Sequence, residues 1–319
     1  MIQESKGKVD LLQARVSLHL CYLGGCGQHV VEGILETGKY DVVVLSRKVK
    51  HSLTHIATTN LPPRPNLTVR AVDYASPISI QQALQGVDTL ISTLIGENFK
   101  EVQLALISGC KAAGVRRFAP SEWAGDTEKN RIIDLYRPKN EIIEALDNTE
   151  GLEWTLFTPG IFMNYLATPH TTSHLPPLKF LIDAENNTAL IPGTGTEPII
   201  YTTAQDVGRF VAATLSLPHW PRKSAMAGSV TTFNEIIDAL EKVKGVKFER
   251  DYRSKEVLER EVEEAREDVM KRFYAQVALA LVVNGEQFAF ETNLNGLFPE
   301  IRPTGVEEFV RTWWGKKSE

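Results

Sequence analysis

Three glycines, Gly24, Gly25 and Gly27, stand between an apolar run at residues 16–22 and a helical pattern that starts near Gln28. Glycines at a strand-to-helix turn let backbone N–H groups approach a pyrophosphate at the positive end of the helix. The same residues also make an ordinary tight turn, so the glycines alone decide nothing. The second signal lies about 20 residues further on, where a dinucleotide-binding unit meets the adenosine ribose. There a second apolar run ends in Ser46, Arg47 and Lys48. A free 2′-hydroxyl needs a carboxylate acceptor at that point, whereas a 2′-phosphate needs cations and is repelled by an acid. Arg47 and Lys48 therefore predict NADP(H) in preference to NAD(H). Position at a strand end separates them from the basic pair of any solvated loop.

Such chemistry requires parallel strands whose carboxyl ends meet at one edge. From Arg15 onward, short β-branched or Leu-rich runs alternate with amphipathic stretches. Strands are expected at 16–22, 41–46, 67–73, 87–94, 115–119 and 153–159. Between the first two, Val30, Val31, Ile34 and Leu35 recur at helical spacing and stop at Gly38. Right-handed crossovers in series make this an α/β protein with a doubly wound parallel sheet, a Rossmann-type NAD(P)-binding fold. Ser92 and Thr93 close the fourth strand, and Ser121 and Glu122 follow the fifth. All would line the crevice, although short polar residues are common in turns generally.

After Pro159 the alternation breaks at Pro169, Pro176, Pro177, Pro192, Pro198, Pro218 and Pro221. The expected division is a leader over 1–14 outside the core, a dinucleotide-binding domain over 15–159, and a smaller mixed α+β substrate lobe over 160–319. A helix over 204–216 is expected to return to the first domain. Thr232 with Glu235, and Thr304 with Glu307, have capping-box spacing. One long charged helix is expected from Ser254 to about Val283.

The chain has 319 residues, 43% hydrophobic and 24% charged, with a formal charge of -5. That balance excludes a disordered or fibrous chain and draws the protein toward neither nucleic acid nor an anionic membrane. A small-molecule substrate is the default partner, with the protein a monomer or homodimer. Cys21, Cys26 and Cys110 show no paired spacing, and the N-terminus lacks the basic start and apolar run of a secretory signal. The longest later apolar run, Val277 to Val283, is far short of the roughly 20 residues that span a bilayer. A cytoplasmic, membrane-free protein is expected. His51 with His55, and His170 with His174, have HxxxH spacing but sit in loop-like surroundings with no enclosed glutamate, so no metal is assigned. No Walker A loop or GxSxG elbow occurs, and the Asn66 and Asn186 glycosylation spacings matter only in a secreted chain.

Several motifs in order, GQHVVEGIL, VVVLSRK, VDY at 72–74, VDTLIST, VRRFAPSEWAGD, PKNEIIEAL, WTLFTPGIFMNYL, TTAQDVGRFVAATL and FPEIRPTGVEEFV, resemble the NmrA-like and isoflavone-reductase-like family of atypical short-chain dehydrogenases, its fungal members especially. The resemblance covers nearly everything after Leu20. It implies NADPH as hydride donor and a lysine, here Lys139, that contacts the nicotinamide ribose and assists proton transfer. Pro138 before it suits a helix's first turn, which would present the amine from the helix start; an exposed helix lysine is the ordinary alternative. The resemblance also carries Gly160, Phe162 and Tyr165 to the wall facing nicotinamide and substrate, with core packing as the alternative for both aromatics.

Two departures bear on activity. Aligning Gly27 and Gly24 with the last two glycines of the family's GxxGxxG pattern puts Cys21 where the first belongs, and a side chain there crowds the turn. Tyr136 and Lys139 are three apart, not the four of the usual YxxxK pair, so Tyr136 is given no catalytic role. The implied function is an NADPH-dependent reductase of a small carbonyl or activated C=C substrate, in secondary metabolism as family members in fungi often are. The alternative is a non-catalytic NADP-sensing regulator of the NmrA type. Retention of Lys139 favours the enzyme; Cys21 and the missing YxxxK pair favour the sensor.

Overall fold

The computed structural model describes residues 15–19, 25–47, 64–96, 98–285, 288–289 and 293–315, with residues 15–19 and 47 described by backbone alone. The expected leader, Cys21, Gly24, Lys48, and the His51 and His55 pair lie outside the described residues.

A parallel sheet of six strands carries the first half of the chain: β1 (Arg15–His19), β2 (Asp41–Arg47), β3 (Leu67–Val72), β4 (Thr89–Ser92), β5 (Arg117–Ala119) and β6 (Glu153–Trp154), in the order β3-β2-β1-β4-β5-β6. The helices between them are α1 (Gly25–Glu36), α2 (Pro77–Ala83), α3 (Phe99–Ala113) and α4 (Arg137–Asp147). β2 shows why the sheet is covered on both faces. Val42 and Val44 join a core with Val30, Val31 and Ile34 of α1, while Val43 and Leu45 join one with Ile80, Leu106, Ile142 and Leu146 of α2, α3 and α4. Alternate side chains of a strand point to opposite faces, so an unbroken apolar run needs a helical layer on each side. The chain runs outward from β1 through β2 to β3, then crosses back to β4. The carboxyl ends of β1 and β4 thus flank the switch point where doubly wound sheets bind ligands.

The run at 153–159, expected as a single strand, is two. Glu153 and Trp154 pair with β5, whereas β7 (Leu156–Thr158) leaves the main sheet to pair in parallel with β12 (Lys223–Ala225). Thr155 is the joint, its hydroxyl 2.8 Å from that of Ser224. Sequence periodicity cannot detect the change, because both partners accept the same alternation.

Downstream, β8 (Ile161–Phe162), β11 (Ile199–Thr202) and β13 (Ser229–Thr231) form one small sheet, and β9 (Ile182–Asp183), β10 (Thr188–Pro192) and β14 (Glu249–Arg253) another. Their core joins Ile191, Ile199 and Tyr201 to Ile236, Ile237 and Leu240 of α6 (Phe233–Lys244) and to Phe309 and Val310 of α10 (Val306–Trp314). Between these sheets' strands, α5 (Ala204–Thr214) lies against α1, with Val207, Phe210 and Val211 buried beside Val30 and Ile34.

Thr232 and Glu235 make the expected reciprocal capping box at the start of α6. The second expected box is absent. The N-cap of α10 is Gly305, and the Thr304 N–H donates to the buried Asp206 at 2.8 Å, which draws Thr304 out of the cap. The expected long helix is also two, α7 (Lys255–Glu264) and α8 (Val269–Asn284), packed on each other. The Asp268 side chain caps the second by accepting from the Lys271 N–H at 2.9 Å, and local capping chemistry overrides the helical periodicity. α9 (Leu294–Leu297) anchors Leu294 against α1 and α5. Among the described residues no helix is long and apolar enough to cross a membrane.

Candidate functional site at the carboxyl edge of the sheet

α1 begins on the carboxyl side of β1, and Gly25 and Gly27 lie buried in its first turn. The glycine at 25 has a neighbour that sequence could not supply. An ideal Cβ there would stand 2.2 Å from the backbone C and O of His174, so the 170–175 segment lies directly on the helix start. Arg47 ends β2 at the same edge of the sheet.

His174 belongs to a cluster missed by the sequence reading, which paired it with His170. Its N–H donates to Nε2 of His29 in α1 at 3.1 Å, and its Nε2 lies 2.7 Å from Glu32. An Nε2 that accepts leaves the proton of the neutral imidazole on Nδ1, which faces Glu32 at 3.2 Å. Burial, and next the neighbouring His174, lower the pKa of His29 to about 4 against the opposing pull of Glu32. The ligand-type atoms of the three residues lie within 4.8 Å of one another. A protonated Nδ1 has no lone pair to give, so the arrangement is a hydrogen-bonded latch rather than a ready metal site. His170 lies elsewhere, against Trp313 and Trp314.

At the end of β4, Ser92 is fully buried and its Oγ has no hydrogen-bond partner among the described residues; Thr93 beside it is also buried. Ser121, after β5, spends its hydroxyl on the Leu94 carbonyl at 2.8 Å, and its N–H donates to Gln103 at 2.8 Å. It braces two strand-end loops. Trp123 takes a left-handed backbone with φ 43°, a conformation that costs about 1–3 kcal/mol in a non-glycine residue. Its indole N–H donates to the Ser92 carbonyl at 2.8 Å and its ring stacks on Phe157 at 5.5 Å.

This bent loop exposes the Glu122 carbonyl to Lys139. The lysine is the third residue of α4, after Pro138, and its ammonium donates to that carbonyl. Nζ also lies 3.9 Å from the Glu122 carboxylate and 5.0 Å from the centre of the Tyr136 ring. The Glu122 side chain is 1% exposed and that of Lys139 15%. Burial pushes the carboxyl pKa up and the ammonium pKa down, and each is opposed by the other's charge. In the sequence Glu122 shows only as a polar residue beyond a strand end. Its partnership with Lys139, seventeen positions away, leaves no periodic signal.

α8 completes the surroundings. Gln276 accepts from the Asp134 N–H at 3.1 Å and donates to its carboxylate at 2.8 Å, clamping the short turn before α4. Phe273 meets Tyr136 edge-on at 6.3 Å, and the adjacent Tyr274 meets Phe180 at 5.8 Å. Tyr165 packs edge-on against Phe162 at 6.1 Å; burial pushes its pKa up to about 12, with Cys26 of α1 and Tyr274 near enough to contribute. Both sequence-expected aromatics thus pack partly on each other, Phe162 being buried. Gly160 has φ 70°, and a Cβ there would lie 2.4 Å from the Ile200 carbonyl, so the pairing of β8 with β11 also requires it.

Residues 23–310 match the family model described as the NmrA-like family. The chain is 27% identical over 337 residues to the oxidoreductase swnN of Metarhizium robertsii, covering 92% of this chain and 96% of that protein. In fold it is similar to a solved isoflavone reductase, with a TM-score of 0.76, 20% identity, and coverage of 94% of this chain and 99% of that one. It is equally similar to the structure of AtPrR2 with NADP+ and (+)pinoresinol, with a TM-score of 0.76, 19% identity and the same coverage.

Proposed function

The chain belongs to the NmrA-like family, and from that premise we propose that it is an NADPH-dependent reductase of a small, partly apolar carbonyl or activated C=C compound. The observation that carries this reading is the half-buried ammonium of Lys139, paired with the buried Glu122 at the carboxyl edge of a doubly wound sheet. The oxidoreductase name of swnN and the NADP+ in the AtPrR2 structure support it.

The residues fit a phosphorylated dinucleotide. The first turn of α1 offers N–H groups and a positive helix end beside the switch point. The buried, unpartnered Ser92 Oγ at the neighbouring strand end is a polar atom that the described protein residues leave unsatisfied. Arg47 ends β2 and Lys48 follows it in the sequence, at the spacing where a dinucleotide-binding unit reads the adenosine ribose. NADPH, when bound, supplies the hydride.

The chain's own part is charge and exclusion of water. Lys139 Nζ gives a proton to the reduced oxygen or carbon, directly or through a hydroxyl, and is left as a neutral amine. The Tyr136 ring faces Nζ at 5.0 Å and meets Phe273 edge-on, aromatic surface that suits a partly apolar substrate. A place in secondary metabolism belongs to the same proposal.

Calorimetry with NADPH and NADH, followed by incubation with NADPH and a panel of aldehydes, quinones and enones, tests the reading. Tighter NADPH binding and loss of reduced-nicotinamide absorbance with some panel members are expected. Equal affinity for the two cofactors removes the assigned role of Arg47 and Lys48. Binding without consumption across the panel makes the protein a dinucleotide sensor instead.

A further inference from the structure

We propose that Glu122 is the positioning residue of Lys139, its buried carboxylate holding the Nζ in place and keeping it an ammonium until the proton is used. The inference rests on the reading of Lys139 as proton donor and adds the group that governs its charge.

Among the described residues Lys139 has few companions. Its Nζ donates to the Glu122 carbonyl, lies 3.9 Å from Glu122 Oε2 and faces the Tyr136 ring at 5.0 Å. The carboxylate is itself anchored, because the Thr127 hydroxyl donates to Oε2 at 2.8 Å. Asn140, next to Lys139 on α4, donates to the Thr127 carbonyl at 3.4 Å and the Tyr136 carbonyl at 3.1 Å, locking loop and helix together. The other acids on this loop are engaged elsewhere. Asp126 pairs with Lys223 at 2.7 Å, and Glu128 with Arg222 at 2.8 Å and Lys223 at 3.0 Å. Of these carboxylates only Glu122 is paired with the lysine, and it is nearly sealed from water.

A buried ammonium without a counter-charge gives up its proton, so the carboxylate decides whether Lys139 enters turnover charged. When the proton leaves Nζ for substrate, an N–H bond breaks, an O–H or C–H bond forms, and a neutral amine remains beside the Glu122 carboxylate. Solvent then restores the proton. The hydrogen bond from Thr127 favours the charged form of Glu122, and the proton returned to Nζ restores the ion pair.

The test reads Lys139 itself, with and without activity. In protein carrying 13C at the lysine ε-carbon, the Lys139 resonance is assigned by its absence in K139R and titrated by NMR without cofactor. In E122Q the midpoint is expected to fall by about one pH unit or more. T127V is expected to move it the same way by less, and E122D to restore most of it. The alkaline limb of kcat should move with the midpoint while KM for NADPH changes little. A midpoint unmoved in folded E122Q overturns the proposal; if E122Q does not fold, an unmoved midpoint in T127V does so. A kcat limb that stays in place while the midpoint moves overturns the link to turnover. A moved midpoint in a protein that consumes no NADPH upholds the positioning role and sinks the reductase reading alone.

Discussion

Gly33 of α1 and Gly208 of α5 face each other with no room for a methyl group between them. An ideal Cβ on Gly33 would lie 2.4 Å from C and O of Gly208, and one on Gly208 would lie 2.1 Å from the His29 carbonyl oxygen. The contact brings α5 down onto the helix whose first turn forms part of the candidate dinucleotide site.

Both G33A and G208A should therefore lower stability by about 1–3 kcal/mol, the usual cost of overpacking a closed contact. Urea unfolding checks this. Wild-type midpoints in both variants would mean that the helices separate without penalty.

The latch at His29 makes stability depend on pH. Its folded pKa of about 4 lies below the unfolded value near 6.5. Between those values the unfolded chain binds a proton that the folded protein refuses. Stability is complete above pH 6.5 and falls as pH drops toward 4, by about 3 kcal/mol at most. Comparing wild type with H29Q by urea unfolding at several pH values isolates the effect. Parallel curves for the two proteins would show that His29 does not carry it.

Removing Lys139 should do two separable things. K139A should lower turnover by about 10²–10⁴, the range of a lost general acid, with NADPH affinity changed far less. It also strands Glu122 in the interior, at a cost of about 3–5 kcal/mol near neutrality. The unpaired carboxyl then titrates above its unfolded value, so protonation relieves the cost in acid and the loss grows as pH rises. Thermal unfolding at pH 5 and pH 8 reads the second effect, and a pH-independent loss would count against the buried pair.

The preference for NADPH over NADH should shrink in R47A and in K48A, by roughly tenfold or more for each charge-assisted hydrogen bond lost. NADH affinity should hardly move. Calorimetry on both cofactors gives the answer, and an unchanged ratio would place the 2′-phosphate contact elsewhere.

The fold class was legible because it rests on local repetition. Val42 to Leu45 bury alternate side chains on opposite faces, and Val30, Val31, Ile34 and Leu35 recur at helical spacing. Such periods follow from backbone geometry and are written residue by residue. The strand ends that carry Arg47, Ser92 and Ser121 were legible for the same reason. Periodicity failed where a partner outside the segment decided: at Thr155, where the strand changes sheets; at Asp268, where a side-chain cap divides a helix; and at Thr304, whose N–H is claimed by Asp206.

Thus the amino-acid order by itself determined the wound parallel sheet, the glycines in the first turn of α1 and the placing of Lys139 in a helix's first turn. Only tertiary structure decided what those groups meet: Glu122 beside Lys139, the His174 backbone on Gly25, and Gly208 on Gly33. Hydrogen bonds and close contacts between residues distant in the chain depend on distances of a few tenths of an ångström, set by how whole layers pack. No local spacing records them.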